Sequence, residues 1–108
     1  MPPVSDDPVR RYSRQLGVPG WGAEGQRRLS RSHVFVAGVG GLGSAASIYL
    51  AAAGVGKLTV CDTDRVEISN LNRQTLYTLD DVGMEKAPTA AARLLALNPG
   101  IRVVAVTS

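Results

Sequence analysis

Cysteine, histidine, tryptophan and phenylalanine each occur once in these 108 residues. A lone Cys61 excludes an internal disulfide and any metal site built on a cysteine pair within the chain, and it agrees with a reducing compartment. Long apolar runs are missing too: no stretch approaches the ~18 apolar residues that a membrane helix requires. The start, MPPVSDDPVRRYSRQ, has no apolar core of the kind that directs secretion. A cytoplasmic protein without membrane insertion is the expectation. Aromatic residues make up only 5% of the chain and do not interleave with its basic residues. The stacking platforms of single-strand nucleic-acid binders are therefore absent, and nucleic acid is not an expected partner.

The formal charge of +3 is unevenly placed. Arg10, Arg11, Arg14, Arg27, Arg28 and Arg31 face only Asp6, Asp7 and Glu24 in residues 1–32, while residues 33–108 balance. A solvated helix face, or arginines that meet nucleotide phosphates, accounts for such a segment. The remaining composition, 44% hydrophobic and 19% charged, is that of one small globular domain.

Residues 1–7 carry two prolines and few apolar groups and read as unstructured. Asp7-Pro8 opens a helix expected to reach Leu16, and Trp21 to Ser30 reads as a second. Val34–Ala37 is an apolar strand of the kind found at the centre of a sheet. A helix rich in alanine and serine follows over Leu42 to Ala53, then a second strand, Lys57–Cys61. Asp62 to Tyr77 is polar loop with one helical turn near Asn70–Gln74, and residues 79–83 form another turn. Glu85 to Leu97 reads as a helix whose apolar positions Ala92, Leu94 and Leu95 fall at helical spacing. Asn98-Pro99-Gly100 stops it before a third strand at Ile101–Val106.

The expected fold is α/β: half of a Rossmann-like doubly wound fold, three parallel strands in a βαβαβ unit, preceded by two N-terminal helices. Residues 1–32 form the helical segment and 33–108 the nucleotide-binding half-domain. Right-handed crossovers place the strands in the order Ile101–Val106, Lys57–Cys61, Val34–Ala37. That order leaves the first strand at an edge in spite of its apolar sequence.

Chemistry concentrates at the first strand–helix junction. Gly38, Gly40 and Gly43 stand at G-x-G-x-x-G spacing, where a tight turn brings bare backbone to a phosphate. A helix that starts near Gly41 aims unpaired N–H groups and its positive dipole end at that phosphate. Asp62, about twenty residues on, stands where a carboxylate reaches ribose hydroxyls. Lys86 sits at a helix start, where the dipole prefers acids, so a structural purpose alone does not explain it.

Four blocks carry a resemblance: RYSRQ at 11–15, GVGGLGS at 38–44, GVGKLTVCDTDRVEISNLNRQTLY at 54–77 and GMEKA at 83–87. In this order they resemble the HesA/MoeB/ThiF and ubiquitin-activating superfamily over residues 10–106. The resemblance implies the ATP-binding part of an adenylyltransferase that activates the C-terminal glycine of a ubiquitin-like or sulfur-carrier protein. By position it implies an ATP contact at Gly41 and a ribose-binding acid at Asp62. It implies phosphate and adenylate contacts at Asn70, Arg73, Gln74 and Lys86. It also implies that Arg14 is supplied across a homodimer to the ATP phosphates. Arg14, Arg73 and Lys86 are thus the implied catalytic residues, since fixed cations stabilise the charge that builds as a carboxylate attacks the α-phosphate. Members run well past 200 residues, so the chain reads as the N-terminal half of such a domain, incomplete for catalysis by itself. The Mg²⁺ ligand, the zinc cysteines and the thiol-transfer cysteine are expected beyond residue 108, and no metal ligand is assigned here.

Other residues have plainer readings. Asp64 suits a metal or ribose contact and a loop cap equally. His33 reads as inert, Cys61 as core and Trp21 as an apolar anchor. Two other functions fit parts of the pattern: an NAD(P)-binding oxidoreductase half-domain and a non-catalytic nucleotide-binding or scaffold module. The glycine turn and Asp62 suit NAD, but Ser69-Asn70-Leu71-Asn72-Arg73-Gln74 and Lys86 have no task on a dinucleotide. Self-association is expected either along the first strand's free edge or through the Arg14-bearing helices.

Overall fold

Among the described residues, three strands and five α-helices position everything that follows. The computed structural model describes residues 6–108. The unstructured start expected at residues 1–7 thus falls largely on residues 1–5, which lie outside the described residues. Asp7 caps α1 (Pro8–Arg11) by accepting from the Val9 N–H at 2.9 Å, with Pro8 in the first turn. The first expected helix is split. It stops at Tyr12, whose φ of −102° and ψ of 16° leave the helical range, and resumes as α2 (Ser13–Leu16). The break turns the Tyr12 hydroxyl onto Asn98. The next expected helix is α3 (Gly22–Ser30), preceded by Trp21.

The sheet is parallel throughout, with β2 (Lys57–Cys61) between β1 (His33–Ala37) and β3 (Arg102–Val106). This is the order that right-handed crossovers dictate. α4 (Gly41–Ala53) and α5 (Lys86–Leu97) lie side by side on one face, over Val34, Val36, Leu58, Val60, Val103 and Ala105. On α5 the core-facing residues are Lys86, Ala87, Ala90, Ala91 and Leu94; Ala92 and Leu95 turn outward, one position away from the expected stripe.

β1 is an edge strand. Phe35, on its helix-free face, remains 60% exposed. Cys61 ends β2 half-buried, so the core position expected for it does not hold. His33 Nε2 lies 2.7 Å from Thr59 Oγ1 across the same face.

α4 reverses the usual amphipathic order. Ser44 and Ser47 are buried, while Leu42 and Tyr49 are 92% and 77% exposed. The small hydroxyls satisfy themselves on the carbonyls of Gly41 and Gly43, at 3.3 and 2.6 Å. They thereby let the helix approach the sheet closely without an unpaired polar group.

Candidate functional site

The C-terminal ends of β1 and β2, the start of α4 and the start of α5 converge at one end of the sheet. Open α/β sheets bind ligands at such a place. Gly38 adopts φ +91°, a conformation that disfavours a side chain. A Cβ on Gly43 would stand 1.7 Å from the Gly38 carbonyl oxygen, so the third glycine lets the helix start touch the turn. A Cβ on Gly41 would meet nothing within 4 Å, because Gly41 faces open space. The N–H groups of Gly40, Gly41, Leu42 and Gly43 have no acceptor among the described residues. They form the unpaired row that a helix N-terminus presents to an anion.

Asp62 ties this turn to the loop after β2. Its Oδ2 accepts from the Val39 N–H at 2.9 Å and its Oδ1 from the Asp64 N–H at 2.8 Å. Of the two readings of Asp64, the loop-capping task belongs to Asp62 instead. The Asp64 side chain is exposed, and its carbonyl accepts from the Lys86 N–H at 2.9 Å. Val39, Asp62, Asp64 and Lys86 therefore form one continuous chain of hydrogen bonds.

Lys86 is only 6% exposed at the first position of α5, and no carboxylate pairs with it among the described residues. The Lys86 stem is buried while its ammonium keeps contact with solvent, and a cation at the wrong end of a helix dipole is favoured by a nearby anion. Gln74 is 4% exposed and packs under the turn, where a Cβ on Gly40 would lie 3.6 Å from its Nε2. Its Oε1 is buried without a partner.

Two expected contacts are placed differently. Asn70 caps a short 3₁₀ turn (Ile68–Asn70), its Oδ1 accepting from the Glu67 N–H at 2.8 Å. Arg73 is exposed and folded back on its own turn, with Nη1 on the Ser69 carbonyl at 3.2 Å and on Asn72 Oδ1 at 2.9 Å. Arg14 is not brought to the turn at all. Its neighbour Gln15 donates to the Ala53 carbonyl at 2.9 Å, at the far end of α4. A helix of this length separates its ends by roughly 20 Å. Within one chain Arg14 belongs to the opposite end.

A cavity of about 510 Å³ also lies at that opposite end, walled by Tyr12, Leu16, Gln26 and Ile101. Its walls hold no residue of the glycine turn. No group of three or more His, Cys, Asp or Glu side chains gathers as a metal site among the described residues. Tyr77 has a place in the site that its sequence position did not announce. Its hydroxyl donates to the Val39 carbonyl at 2.6 Å inside the core. The only signal was an aromatic residue that closes a polar loop.

A family model, that of the ThiF family, matches residues 12–108. A sulfur carrier protein adenylyltransferase of Thermus thermophilus is 57% identical over 95 residues, 88% of this chain and 35% of that protein. The adenylyltransferase and sulfurtransferase MOCS3 of Drosophila willistoni is 51% identical over 100 residues, 93% of this chain and 22% of that protein. The chain thus spans about a third or less of the length of these relatives. Among solved structures, the E. coli tRNA N6-threonylcarbamoyladenosine dehydratase TcdA in complex with AMP superimposes with a TM-score of 0.88 at 33% identity. It covers all of this chain and 43% of its own. E. coli MccB with ATP gives 0.84 at 36% identity, over 91% of this chain and 31% of its own.

Proposed function

The chain belongs to the ThiF family, and on that premise we propose that it is the ATP-binding part of an adenylyltransferase acting on the C-terminal glycine of a ubiquitin-like or sulfur-carrier protein. The observation that carries this reading is Lys86, a lysine without a carboxylate partner at a helix start, whose backbone N–H is joined through Asp64 and Asp62 to the glycine turn. Its missing counter-charge is a phosphate. The relatives named above are adenylyltransferases, and TcdA and MccB were crystallised with AMP and ATP. These names support ATP over a dinucleotide.

In this reading the N–H row of Gly40 to Gly43 and the Lys86 ammonium bind phosphate oxygens, and Asp62 accepts from ribose hydroxyls. Gln74 Oε1 offers a further acceptor beneath the turn. The carrier's terminal carboxylate attacks the α-phosphorus. A carboxyl-oxygen–phosphorus bond forms, the bond to the bridging oxygen breaks, and pyrophosphate leaves with the electron pair. Lys86, and Arg73 once it swings from its own turn, hold the charge that spreads over the α-phosphate oxygens. Magnesium, when bound, neutralises the triphosphate. The residues described here form no acidic cluster for it, and no step is assigned to it.

A homodimer completes the arrangement by bringing Arg14 from a second copy. The outer face of α4, with exposed Leu42 and Tyr49, supports such an association, since a helix apolar all round is normally covered. The cytoplasm is the proposed location; no helix among the described residues is long and apolar enough to cross a membrane.

Calorimetry with ATP and NAD tests the proposal. ATP should bind more tightly than NAD. Lys86→Ala and Arg73→Ala should each weaken it by about 1.5–3 kcal/mol, the worth of a charge-assisted hydrogen bond. Tighter binding of NAD, or ATP affinity indifferent to Lys86, overturns the assignment.

A further inference from the structure

We propose that Tyr77 is a positioning residue for the nucleotide phosphates, because its hydroxyl decides which way the Val39–Gly40 peptide faces. This rests on the nucleotide-site reading above and adds a residue to it.

Both polar groups of Val39 are bound to distant parts of the chain. Its N–H donates to Asp62 Oδ2 at 2.9 Å, and its carbonyl accepts from Tyr77 Oη at 2.6 Å. The carbonyl and the next N–H point in opposite directions across a trans peptide, and no cis peptide is present among the described residues. With the Val39 carbonyl held on Tyr77, the Gly40 N–H must point away from it, and like the N–H groups at the start of α4 it is unpaired among the described residues. Were this peptide to turn over, a carbonyl oxygen would replace the N–H. A phosphate would then meet a partial negative charge at its first contact.

Such a turnover is sterically cheap on one side. Turning the peptide over would carry the Gly40 φ from −85° into the positive range, which a residue without a Cβ tolerates. A specific bond is therefore needed to choose one peptide orientation, and Tyr77 supplies it from a rigid setting. Val39 is fully buried and Tyr77 nearly so. Burial, with the carboxylates of Asp62 and Asp81 nearby, pushes the phenol well above its ordinary range, so it remains a donor throughout physiological pH.

Tyr77→Phe keeps the ring and removes only the bond. Titration calorimetry on the protein should show AMP and ATP binding about tenfold more weakly, while adenosine, which lacks the phosphate, changes less than about twofold. A purely structural role would move all three together or none, and either pattern overturns the proposal. In ¹⁵N-resolved spectra without nucleotide, the Gly40 amide should shift in Tyr77→Phe more than the Gly54 amide at the far end of α4. That measurement reads the peptide even if the wild-type protein binds no ATP, an outcome that would sink the nucleotide reading but not the clamp. If Tyr77→Phe does not fold, a crystal structure of the wild-type protein with AMP decides. Gly40 N–H on the phosphate with Val39 carbonyl on Tyr77 supports the proposal, and a phosphate without the Gly40 contact refutes it.

Discussion

Asn98 donates through Nδ2 to the Tyr12 hydroxyl at 2.7 Å, a bond between residues 86 positions apart that fastens the N-terminal helices to the end of α5. The same nitrogen donates to the Ala51 carbonyl at 2.9 Å, and Oδ1 accepts from the Gly100 N–H at 3.2 Å. One amide thus joins the ends of α4 and α5 to the segment that carries Arg14. Asn98→Ala should cost about 2–4 kcal/mol, because it leaves buried partners unpaired. The urea midpoint of unfolding measures this, and a change below about 1 kcal/mol would mean that the latch is incidental.

The glycines of the turn should separate stability from binding. In Gly43→Ala the new methyl collides with the Gly38 carbonyl, and the shift it forces should cost about 2–3 kcal/mol and weaken ATP binding as well. At Gly41 the methyl enters open space, so Gly41→Ala should leave the fold intact or stabilise it by about 0.5–1 kcal/mol. It should still weaken ATP binding, since the methyl occupies the approach to the N–H row. Melting temperature and ATP titration on the two variants distinguish them. Equal loss of stability in both would refute the division.

Arg14 and the glycine turn lie at opposite ends of α4, so a shared site requires two copies. Arg14→Ala and Lys86→Ala proteins, each deficient alone, should complement when mixed under conditions that let subunits exchange. Random pairing restores about a quarter of the sites, because only the mixed dimer holds one intact pair. Titration calorimetry with ATP provides the assay. No recovery, with subunit exchange verified by mass, would place Arg14 outside the nucleotide site.

Acid should loosen the loop between β2 and α5 through Asp81. Burial pushes this carboxyl upward, but the Thr78 N–H and hydroxyl, together with Arg93, outweigh it and hold it below its ordinary value of 3.8. A group whose folded value is depressed stabilises the fold above its unfolded value, and that stability is lost as pH falls through the folded one. Below about pH 4 the wild-type protein should therefore lose more stability than Asp81→Asn, while the two should run parallel from pH 5 to 7. Thermal melts across this range read the difference, and identical acid profiles would remove Asp81 from the account.

The sequence by itself determined the βαβαβ order, the parallel sheet and the position of the glycine turn. These follow from local signals: an apolar run, glycines at fixed spacing, a proline after a capping aspartate, and a crossover rule that admits one hand. It also isolated Lys86, since a lysine at a helix start contradicts the dipole whatever surrounds it.

Tertiary structure decided the rest. The helix expected to run through Tyr12 breaks there because the tyrosine's partner is Asn98, and no propensity of residues 8–16 encodes a contact that distant. The outward turn of Ala92 and Leu95 depends on where α4 lies against α5, a matter of packing rather than periodicity. Tyr77 became part of the site only when the loop folded over Val39. A hydrogen bond across 38 residues leaves no local trace, because its donor and acceptor are chosen by the fold that brings them within 2.6 Å.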